Sequence, residues 1–387
     1  MLLIRVCYLL FWLALSAGAV RAAAPADTVR LPSRRAHDVA PPTRRWRGTI
    51  GQQAVTLTLN LDSGRWGYSG SYYYDHRGQA IHLNQEKPTP RAPIVTLAES
   101  VNGTTTGYFV FNGPAGPQLA GTWRSPDGRR KLPFALQETY ADAVQYQDEA
   151  WRLTRYSPMA TAADSMNNQA MLYRQYLRIS LPQRPAASQR LRQALAAPLL
   201  PALMPHYLDT LAARRQALRP DYFYTGYKWV VYNSNYLLSV VESTSFKTDP
   251  QEEDSTGMYT HEWSQGSTFD LHTGRRLALA DLLRPGYQPR LRQLVLKALR
   301  TEWGTSPYSE VGRSGRLPAG GFYLSPTGLC FYYDDRDDSS LAFPAPYHAD
   351  REIQIELLYA SLLPLINLAG PLAPLLQERR LLPLKQP

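Results

Sequence analysis

A glycine placed two residues before an aromatic residue recurs three times between residues 46 and 137. The pairs are Gly70 and Tyr72, Gly107 and Phe109, and Gly121 and Trp123. Residues two apart in a strand share a face, and a strand glycine often marks a bend, so each aromatic ring fills the inner side of a curved sheet. Turn sequences separate these segments: DSG at 62–64, DHRG at 75–78, VNG at 101–103 and PDG at 126–128. Residues 44–140 are therefore predicted to form an antiparallel β-meander or a small barrel.

The strands of this region have the alternation expected of a sheet with one buried face. The segment AVTLTLNL at 54–61 alternates apolar and polar residues. The pattern is similar to that of small up-and-down barrels of the avidin and lipocalin types. This similarity implies a fold and no particular ligand residues.

The rest of the chain, residues 141–387, is predicted to be an α+β domain with an antiparallel sheet and packed helices, which makes the whole chain α+β. Strand-like segments include YLRISLP, FYTGYKWVVYNS and NYLLSVVESTSF, and QPRLRQLVLKALR carries the apolar stripe of a helix. Between the two parts, residues 138–170 are predicted to be a polar connector with helical tendency.

The segment STFDLHTGRRLALADLL at 267–283 predicts a hairpin with a structural turn. Gly274 supplies a left-handed backbone conformation, and Asp270 and Thr273 can bond the amides of the turn itself. Asp281 stands where a cap is needed for the next turn. Because each polar residue has a local structural task, we interpret this segment as a hairpin rather than an active site.

Several longer phrases of the second half resemble those of a known family. They are LRISLP, LLSVVESTSF, FDLHTGRRLALADLL, GFYLSPTGLCFYY and IQIELLYASLLPLI, in that order. On these phrases, residues 171–367 resemble secreted bacterial proteins with an RsiV-like C-terminal domain of unknown function, preceded by a PdaC-type module. The resemblance implies a PdaC-type part at 171–247 and a C-terminal part at 248–370. Because RsiV is a lysozyme-sensing anti-sigma factor, it also implies a protein partner for this domain. The chain carries a net charge of +10, so weak or no binding of lysozyme, which is itself strongly basic, is expected of the full mature protein.

The N-terminus has the pattern of a secretory signal. Residues 1–24 contain one early arginine, an apolar run and small residues before Pro25. The run is shorter than the ~20 residues that a membrane span needs, so no transmembrane segment is expected. Residues 25–43 mix Ala, Pro and Arg without apolar periodicity and are predicted to be a disordered tether. The protein is thus expected to be secreted or periplasmic.

The positive charge of the chain belongs mainly to its first domain. Residues 44–137 hold 11 Lys and Arg against 5 Asp and Glu, whereas residues 138–387 hold 26 against 25. For an exported protein, an anionic envelope polymer or glycan is a more suitable partner for this charge than nucleic acid. A generic solubilising charge is the alternative interpretation. A protein partner would use the C-terminal domain.

Clustered aromatic residues are the candidate binding residues. Of the 25 tyrosines, Tyr72, Tyr73 and Tyr74 are consecutive, and a second group comprises Tyr259, His261 and Trp263. Exposed aromatic rings on a sheet stack on sugars or anchor a protein partner, whereas buried ones form cross-strand core pairs. Both interpretations stand at this point.

No residue pattern of a known catalytic or metal site is present in the sequence. The DDRDDSS segment at 334–340 lacks the Gly and Glu that an EF-hand requires, and HEW at 261–263 lacks the second His of a zinc protease. No catalytic residue, metal or cofactor is therefore assigned. The sequence favours a non-enzymatic exported envelope protein that binds or senses an envelope polymer or a protein. The alternative is a hydrolase or deacetylase accessory domain acting on cell-wall glycan.

Overall fold

A computed structural model describes residues 33–62, 67–85, 93–156, 169–196, 222–247, 260–303, 317, 321–333 and 353–382. The predicted signal peptide at 1–24 and the first residues of the predicted tether lie outside these ranges. Among the described residues, no helix is long and apolar enough to cross a membrane.

The described chain is mainly β-strand, with a few short helices. The strands are β1 Ser33–Val39, β2 Arg44–Ile50, β3 Gln53–Asp62, β4 Gly67–Tyr74, β5 Ile81–Gln85, β6 Ile94–Val101, β7 Thr104–Asn112, β8 Gln118–Arg124, β9 Lys131–Glu138, β10 Gln145–Tyr156, β11 Gln169–Ser180, β12 Tyr222–Ser234, β13 Leu237–Lys247, β14 Thr260–Asp270, β15 Phe322–Leu324, β16 Gly328–Tyr333 and β17 Ile353–Leu358. The helices are α1 Pro185–Leu195, α2 Leu279–Leu282, α3 Gln288–Trp303, α4 Tyr359–Leu362 and α5 Ala373–Glu378. The protein is therefore of the α+β class.

Strands β2 to β9 form a closed antiparallel barrel in which each strand pairs with the next and β9 pairs with β2. The sequence predicted either an open meander or a small barrel, and the structure shows a closed barrel. Closure removes both sheet edges. Its interior is a packed core, with Trp46, Tyr72, Phe109 and Phe134 among the buried side chains. The barrel is filled by these side chains, as expected for eight strands.

The second part contains two sheets. A six-stranded sheet has the order β1-β10-β11-β12-β13-β14, in which only β11 and β12 are parallel. Helix α1 packs on this sheet through Leu191 and Leu195, which belong to the same core as Val240 and Phe269. A three-stranded sheet, β15-β16-β17, forms a further core with α3, α4 and α5.

Two segments differ from the sequence prediction. Residues 33–39, assigned to the disordered tether, form β1, which pairs along its length with β10. Residues 145–156, assigned to a connector with helical tendency, form β10 itself. The two strands pair with each other across a long stretch of sequence, and β10 also pairs with β11. This tertiary context overrides local propensity.

The barrel contacts the rest of the molecule through a set of paired charges that we call the barrel joint. It consists of three arginines and three carboxylates: Arg45, Arg47, Arg379, Asp75, Asp142 and Glu378. Arg45 is 2% exposed and bonds both Asp142, at 3.1 Å, and Ser234 of β12, at 2.7 Å. Because the opposite charges are equal in number, the joint leaves no surplus buried charge.

Candidate functional site

The predicted tyrosines of β4 take different positions. Tyr72 lies inside the barrel and is 1% exposed, and its hydroxyl donates a hydrogen bond of 2.7 Å to Glu99. Its ring meets that of Phe109 edge-on, with centroids 5.1 Å apart. No face of the Tyr72 ring is therefore open to a ligand.

Tyr73 and Tyr74 are partly buried. The Arg379 guanidinium lies 4.9 Å from the centre of the Tyr73 ring, so Tyr73 contacts the barrel joint. Burial raises the pKa of Tyr73, which keeps the phenol neutral. Tyr74 packs against the barrel core.

The second predicted group is not brought together with the first. Tyr259 lies outside the described residues, as do the side chains of His261 and Trp263, whose backbone belongs to β14. Strand β14 is in the six-stranded sheet, and Tyr72 is in the barrel. The binding roles of the other five residues stay predictions, whereas the ring of Tyr72 is buried in the barrel core.

The predicted structural turn contains bonds between its own residues. Asp270 Oδ1 accepts the His272 amide at 2.9 Å, and the Thr273 hydroxyl donates to Asp270 Oδ2 at 2.8 Å. Gly274 has a φ of 72°. After the turn, a single bridge between Phe269 and Arg276 replaces the predicted outgoing strand.

The chain then enters α2, where Asp281 acts as a cap. Asp281 Oδ2 accepts the Ala278 amide at 2.7 Å. The Arg275 guanidinium lies 2.8 Å from the same carboxylate and, by hydrogen bonding to it, holds the pKa of Asp281 below its ordinary value. The side chains of Asp270, Thr273 and Asp281 are thus used within the turn or by the helix that follows.

The clearest candidate for a binding surface is the hairpin that joins β8 and β9, residues 124–131, which we call the basic hairpin. It presents Arg124, Arg129, Arg130 and Lys131, all exposed, against the single carboxylate of Asp127. Arg124 and Lys131 lie directly opposite each other across the two strands. Like charges in this arrangement repel each other. Their proximity also produces a strong positive electrostatic potential at this end of the barrel.

The turn of the basic hairpin is held by its own hydrogen bonds. The Ser125 amide donates to the Arg130 carbonyl at 3.0 Å, and the Arg130 amide donates to the Ser125 hydroxyl at 3.0 Å. Asp127 accepts from the Ser125 hydroxyl and from the Arg129 amide, and these bonds lower the pKa of Asp127. The hairpin therefore has one defined backbone conformation on which to place its cations.

Two aromatic rings support the guanidinium groups. The Arg124 guanidinium lies 5.4 Å from the centre of the Tyr108 ring, and that of Arg130 lies 5.9 Å from the centre of the Trp123 ring. Contacts at these distances are attractive and limit the rotamers of the long side chains. Because the two arginine side chains are already restricted in the free protein, less conformational entropy is lost when they bind a ligand.

Trp123 is fixed in turn by a buried carboxylate inside the barrel. Its indole Nε1 donates to Glu99 at 2.6 Å, and the Thr106 hydroxyl donates to the other oxygen of Glu99 at 2.6 Å. A Cβ at Gly107 would lie 2.5 Å from the indole Nε1, so only glycine leaves room for the Trp123 ring. Gly107 of the second glycine–aromatic pair thus leaves the space that is occupied by Trp123 of the third pair, whose ring lies under Arg130.

The sequence alone does not distinguish the arginines and the lysine of the basic hairpin as a binding surface. The signal was present as RSPDGRRK at 124–131, a turn sequence surrounded by cations. The domain-wide excess of charge does not distinguish this hairpin from β2, whose Arg44, Arg45 and Arg47 are used in ion pairs with acids. Only the fold shows that the β2 arginines pair with largely buried acids, whereas the hairpin cations are exposed and Arg129 lies 3.7 Å from the exposed Asp127.

Neither a metal site nor a reactive thiol emerges from the described residues. In those ranges, no group of three or more His, Cys, Asp or Glu side chains is placed to hold a metal ion. Cys330 is buried in β16, and burial, together with the charge of Glu356, raises the pKa of its thiol to about 12. A thiol with this pKa is protonated at neutral pH and is a poor nucleophile.

Solved structures that resemble the chain include two distant neighbours. No protein-family model matches the chain, and no curated protein matches it in sequence. A DUF3298 family member from Bacteroides fragilis is 14% identical, with a TM-score of 0.42 and coverage of 59% of this chain and 96% of its own. A DUF3298 family protein from Pseudomonas aeruginosa is 13% identical, with a TM-score of 0.37 and coverage of 57% and 94%. These neighbours belong to a domain family of unknown function, and likenesses this distant say nothing about a ligand.

Proposed function

We propose that this protein is a non-enzymatic, exported envelope protein that binds anionic envelope polymers through the basic hairpin of its barrel. The observation that carries the proposal is the charge of residues 124–131, where four exposed cations accompany one carboxylate. A surface of this kind attracts polyanions over roughly one Debye length, about 10 Å at 0.1 M salt. An exported chain meets such polymers at the cell envelope.

A polymer suits this surface better than a small anion. Each exposed ion pair contributes only about 0.2–1 kcal/mol, because water screens the charges. Several weak contacts made by one chain add up, since after the first contact the others form within one complex. Arginine also matches the two oxygens of a carboxylate or phosphate group.

We propose a separate role, the binding of a protein partner, for the second part of the chain. Its resemblance to RsiV-like domains, with a PdaC-type part, supports a protein partner for residues 141–387. The near-neutral charge of this part leaves it free of general repulsion toward a protein partner of either charge. The alternative as a glycan hydrolase or deacetylase accessory domain stays a prediction, with no described side-chain arrangement in its favour.

The test compares two charge-removing double variants on immobilised polygalacturonate and on poly(glycerol phosphate). Arg129→Gln/Lys131→Gln removes two exposed charges of the basic hairpin without touching the stacked Arg124 and Arg130. At about 50 mM salt, biolayer interferometry should show roughly tenfold weaker binding, because two lost ion pairs amount to about 1.4 kcal/mol.

The matched control is Lys297→Gln/Arg300→Gln on the exposed side of α3, which removes the same charge from another surface. It should change polymer binding by less than about twofold if location matters. Equal losses in both variants would mean that the positive charge is only a general property of the surface and would reject the proposal.

A further inference from the structure

A cleft of about 220 Å³ lies on one face of the six-stranded sheet, beside the C-terminal end of α1. We call it the sheet cleft. Lys228 of β12, Glu242 of β13 and Gln265 of β14 form a row across its base, because each lies directly opposite the next. Leu195 of α1 lines one part of the wall and Arg276 another. The cleft is thus built by four separate elements of the fold.

Lys228 is the most deeply placed charge of the sheet cleft. The residue is 3% exposed, and its Nζ lies 3.3 Å from Glu242 Oε2. It also donates to the Leu195 carbonyl, at 3.2 Å, which is at the partly negative end of α1. Burial lowers the pKa of Lys228, and the charge of Glu242 opposes that change. A buried lysine beside a carboxylate in a cleft is a frequent feature of binding sites.

The cations of the sheet cleft outnumber its carboxylates. Glu242 is shared, because Arg174 Nη2 bonds its Oε1 at 2.7 Å while Lys228 faces its Oε2. Arg276 adds a second cation to the lining, and its Nη2 donates to the Gly266 carbonyl at 3.0 Å. Among the residues that line the cleft, Lys228 and Arg276 face the one carboxylate of Glu242, so an added negative charge would be stabilised.

The remaining walls define the kind of anion. Leu195, Val240 and Phe269 provide apolar surface, and Gln265 and Ser267 provide hydrogen-bonding groups. The volume is below the ~300–1,000 Å³ of pockets for drug-sized ligands, so the ligand is about the size of an amino acid. The negative charge of Glu242 disfavours a dianion such as phosphate more than a monoanion.

We infer that the sheet cleft binds a small organic carboxylate, with the carboxylate between Lys228 and Arg276 and an adjacent amide or hydroxyl on Gln265 and Ser267. The apolar part of the ligand lies against Val240 and Phe269. This site is separate from the basic hairpin, which belongs to the barrel, so it stands independently of the proposed polymer binding. Free small acids and the C-terminal ends of peptides share the required chemistry.

Ligand-observed NMR on the full chain tests the inference with matched probes. N-acetylalanine should bind with a Kd in the millimolar range, and its primary amide, which has the same shape without the charge, should bind at least about fivefold more weakly. Inorganic phosphate should not compete with N-acetylalanine. Tighter binding of N-acetyl-trialanine would identify a peptide end as the source of the carboxylate, and weaker binding would identify a free acid.

Two variants and one control locate the site. Arg276→Gln, at an exposed position, should weaken N-acetylalanine binding at least about fivefold, and Ser267→Leu should abolish it by filling the cleft. Arg275→Gln changes the neighbouring arginine, which pairs with Asp281 outside the cleft, and should leave binding unchanged. Equal affinity for the acid and its amide, undiminished binding to Ser267→Leu, or no binding of the acid at about 20 mM would each overturn the inference.

Discussion

Three hydrogen-bond donors converge on the buried carboxylate of Glu99. Tyr72 of β4, Thr106 of β7 and Trp123 of β8 come from different strands of the barrel. A buried carboxylate without partners would cost several kcal/mol, so these contacts make the interior of the barrel compatible with a charge. They also fix the ring that supports Arg130.

Replacing Trp123 with Phe tests this arrangement at the level of one residue. The change keeps most of the ring and removes the indole donor to Glu99, so it should lower the free energy of unfolding by about 1–3 kcal/mol. Urea unfolding followed by circular dichroism measures the loss. Trp229→Phe is the control, since Trp229 is 37% exposed on β12, and it should cost less than about 1 kcal/mol. Equal costs would contradict the role given to the Glu99 bond.

At the scale of elements, the turn between β14 and α2 is packed against α1. A Cβ at Gly274 would lie 2.4 Å from the Ala187 carbonyl oxygen, and the Arg190 guanidinium donates to the Thr273 carbonyl at 3.2 Å. The turn therefore fixes the start of α1 as well as its own backbone. The positive φ of Gly274 is only one of the two reasons for glycine here.

A comparison of two glycines separates these reasons. Gly103 has a φ of 77° with open space around it, whereas Gly274 has a φ of 72° and is crowded by Ala187. Gly103→Ala should cost about 1–2 kcal/mol for the left-handed conformation alone. Gly274→Ala should cost about 1–3 kcal/mol more, because the added methyl group must displace α1. Thermal unfolding of both variants checks the order, and a Gly274→Ala variant as stable as Gly103→Ala would show that the packing is not tight.

Features whose partners are close in sequence could be predicted from the sequence. The Asp270 and Thr273 bonds span at most three residues, and the strand glycines and turns of the barrel repeat in a regular pattern. By contrast, β1 pairs with β10, which lies more than a hundred residues later in the chain, and β10 pairs on its other side with β11. The local composition of a segment does not predict pairing with a strand far away in the sequence.

The candidate sites were less predictable than the fold. Whether Tyr72 lies in the core or on the surface depends on which face of the sheet becomes the inside of the barrel. The alternation of apolar and polar residues alone does not determine this for β4. The sheet cleft joins Lys228 and Glu242, 14 positions apart, to Arg276 on the far side of β14. These residues lie close together because of the order of the strands in the sheet, so the sequence around any one of them does not predict the cleft.

At the scale of the whole molecule, the barrel joint couples the barrel to the α+β part. Burial favours a raised pKa for Asp142, but Arg45, the Asn235 amide and Arg47 hold the pKa below its ordinary value. The unfolded chain therefore binds a proton at Asp142 more readily than the folded chain does. Ionised Asp142 stabilises the fold above about pH 4, and this stabilisation is lost as the pH falls through the lower folded-state pKa.

The variant Asp142→Asn should show this dependence. At pH 7 it should be less stable than the unmodified protein by about 1–3 kcal/mol, because hydrogen bonds to a charged group are lost. The difference should shrink as the pH is lowered from about 4 to 2, since the unmodified protein loses the same charge there. Urea titrations at several pH values measure it. A difference that is constant with pH would contradict the assigned ion pairs.

Contact between the exposed cations of residues 124–131 and an anionic polymer should make binding weaken as the salt concentration rises. The dissociation constant for poly(glycerol phosphate) is measured by biolayer interferometry between about 50 and 200 mM salt, for the unmodified protein and for Arg129→Gln/Lys131→Gln. Each lost contact lowers the slope of log K against log salt by about 0.7–0.9, so the double variant should have a slope smaller by about 1–2. Lys297→Gln/Arg300→Gln should keep the original slope. Identical slopes for the unmodified protein and the hairpin variant would mean that the polymer does not contact the basic hairpin.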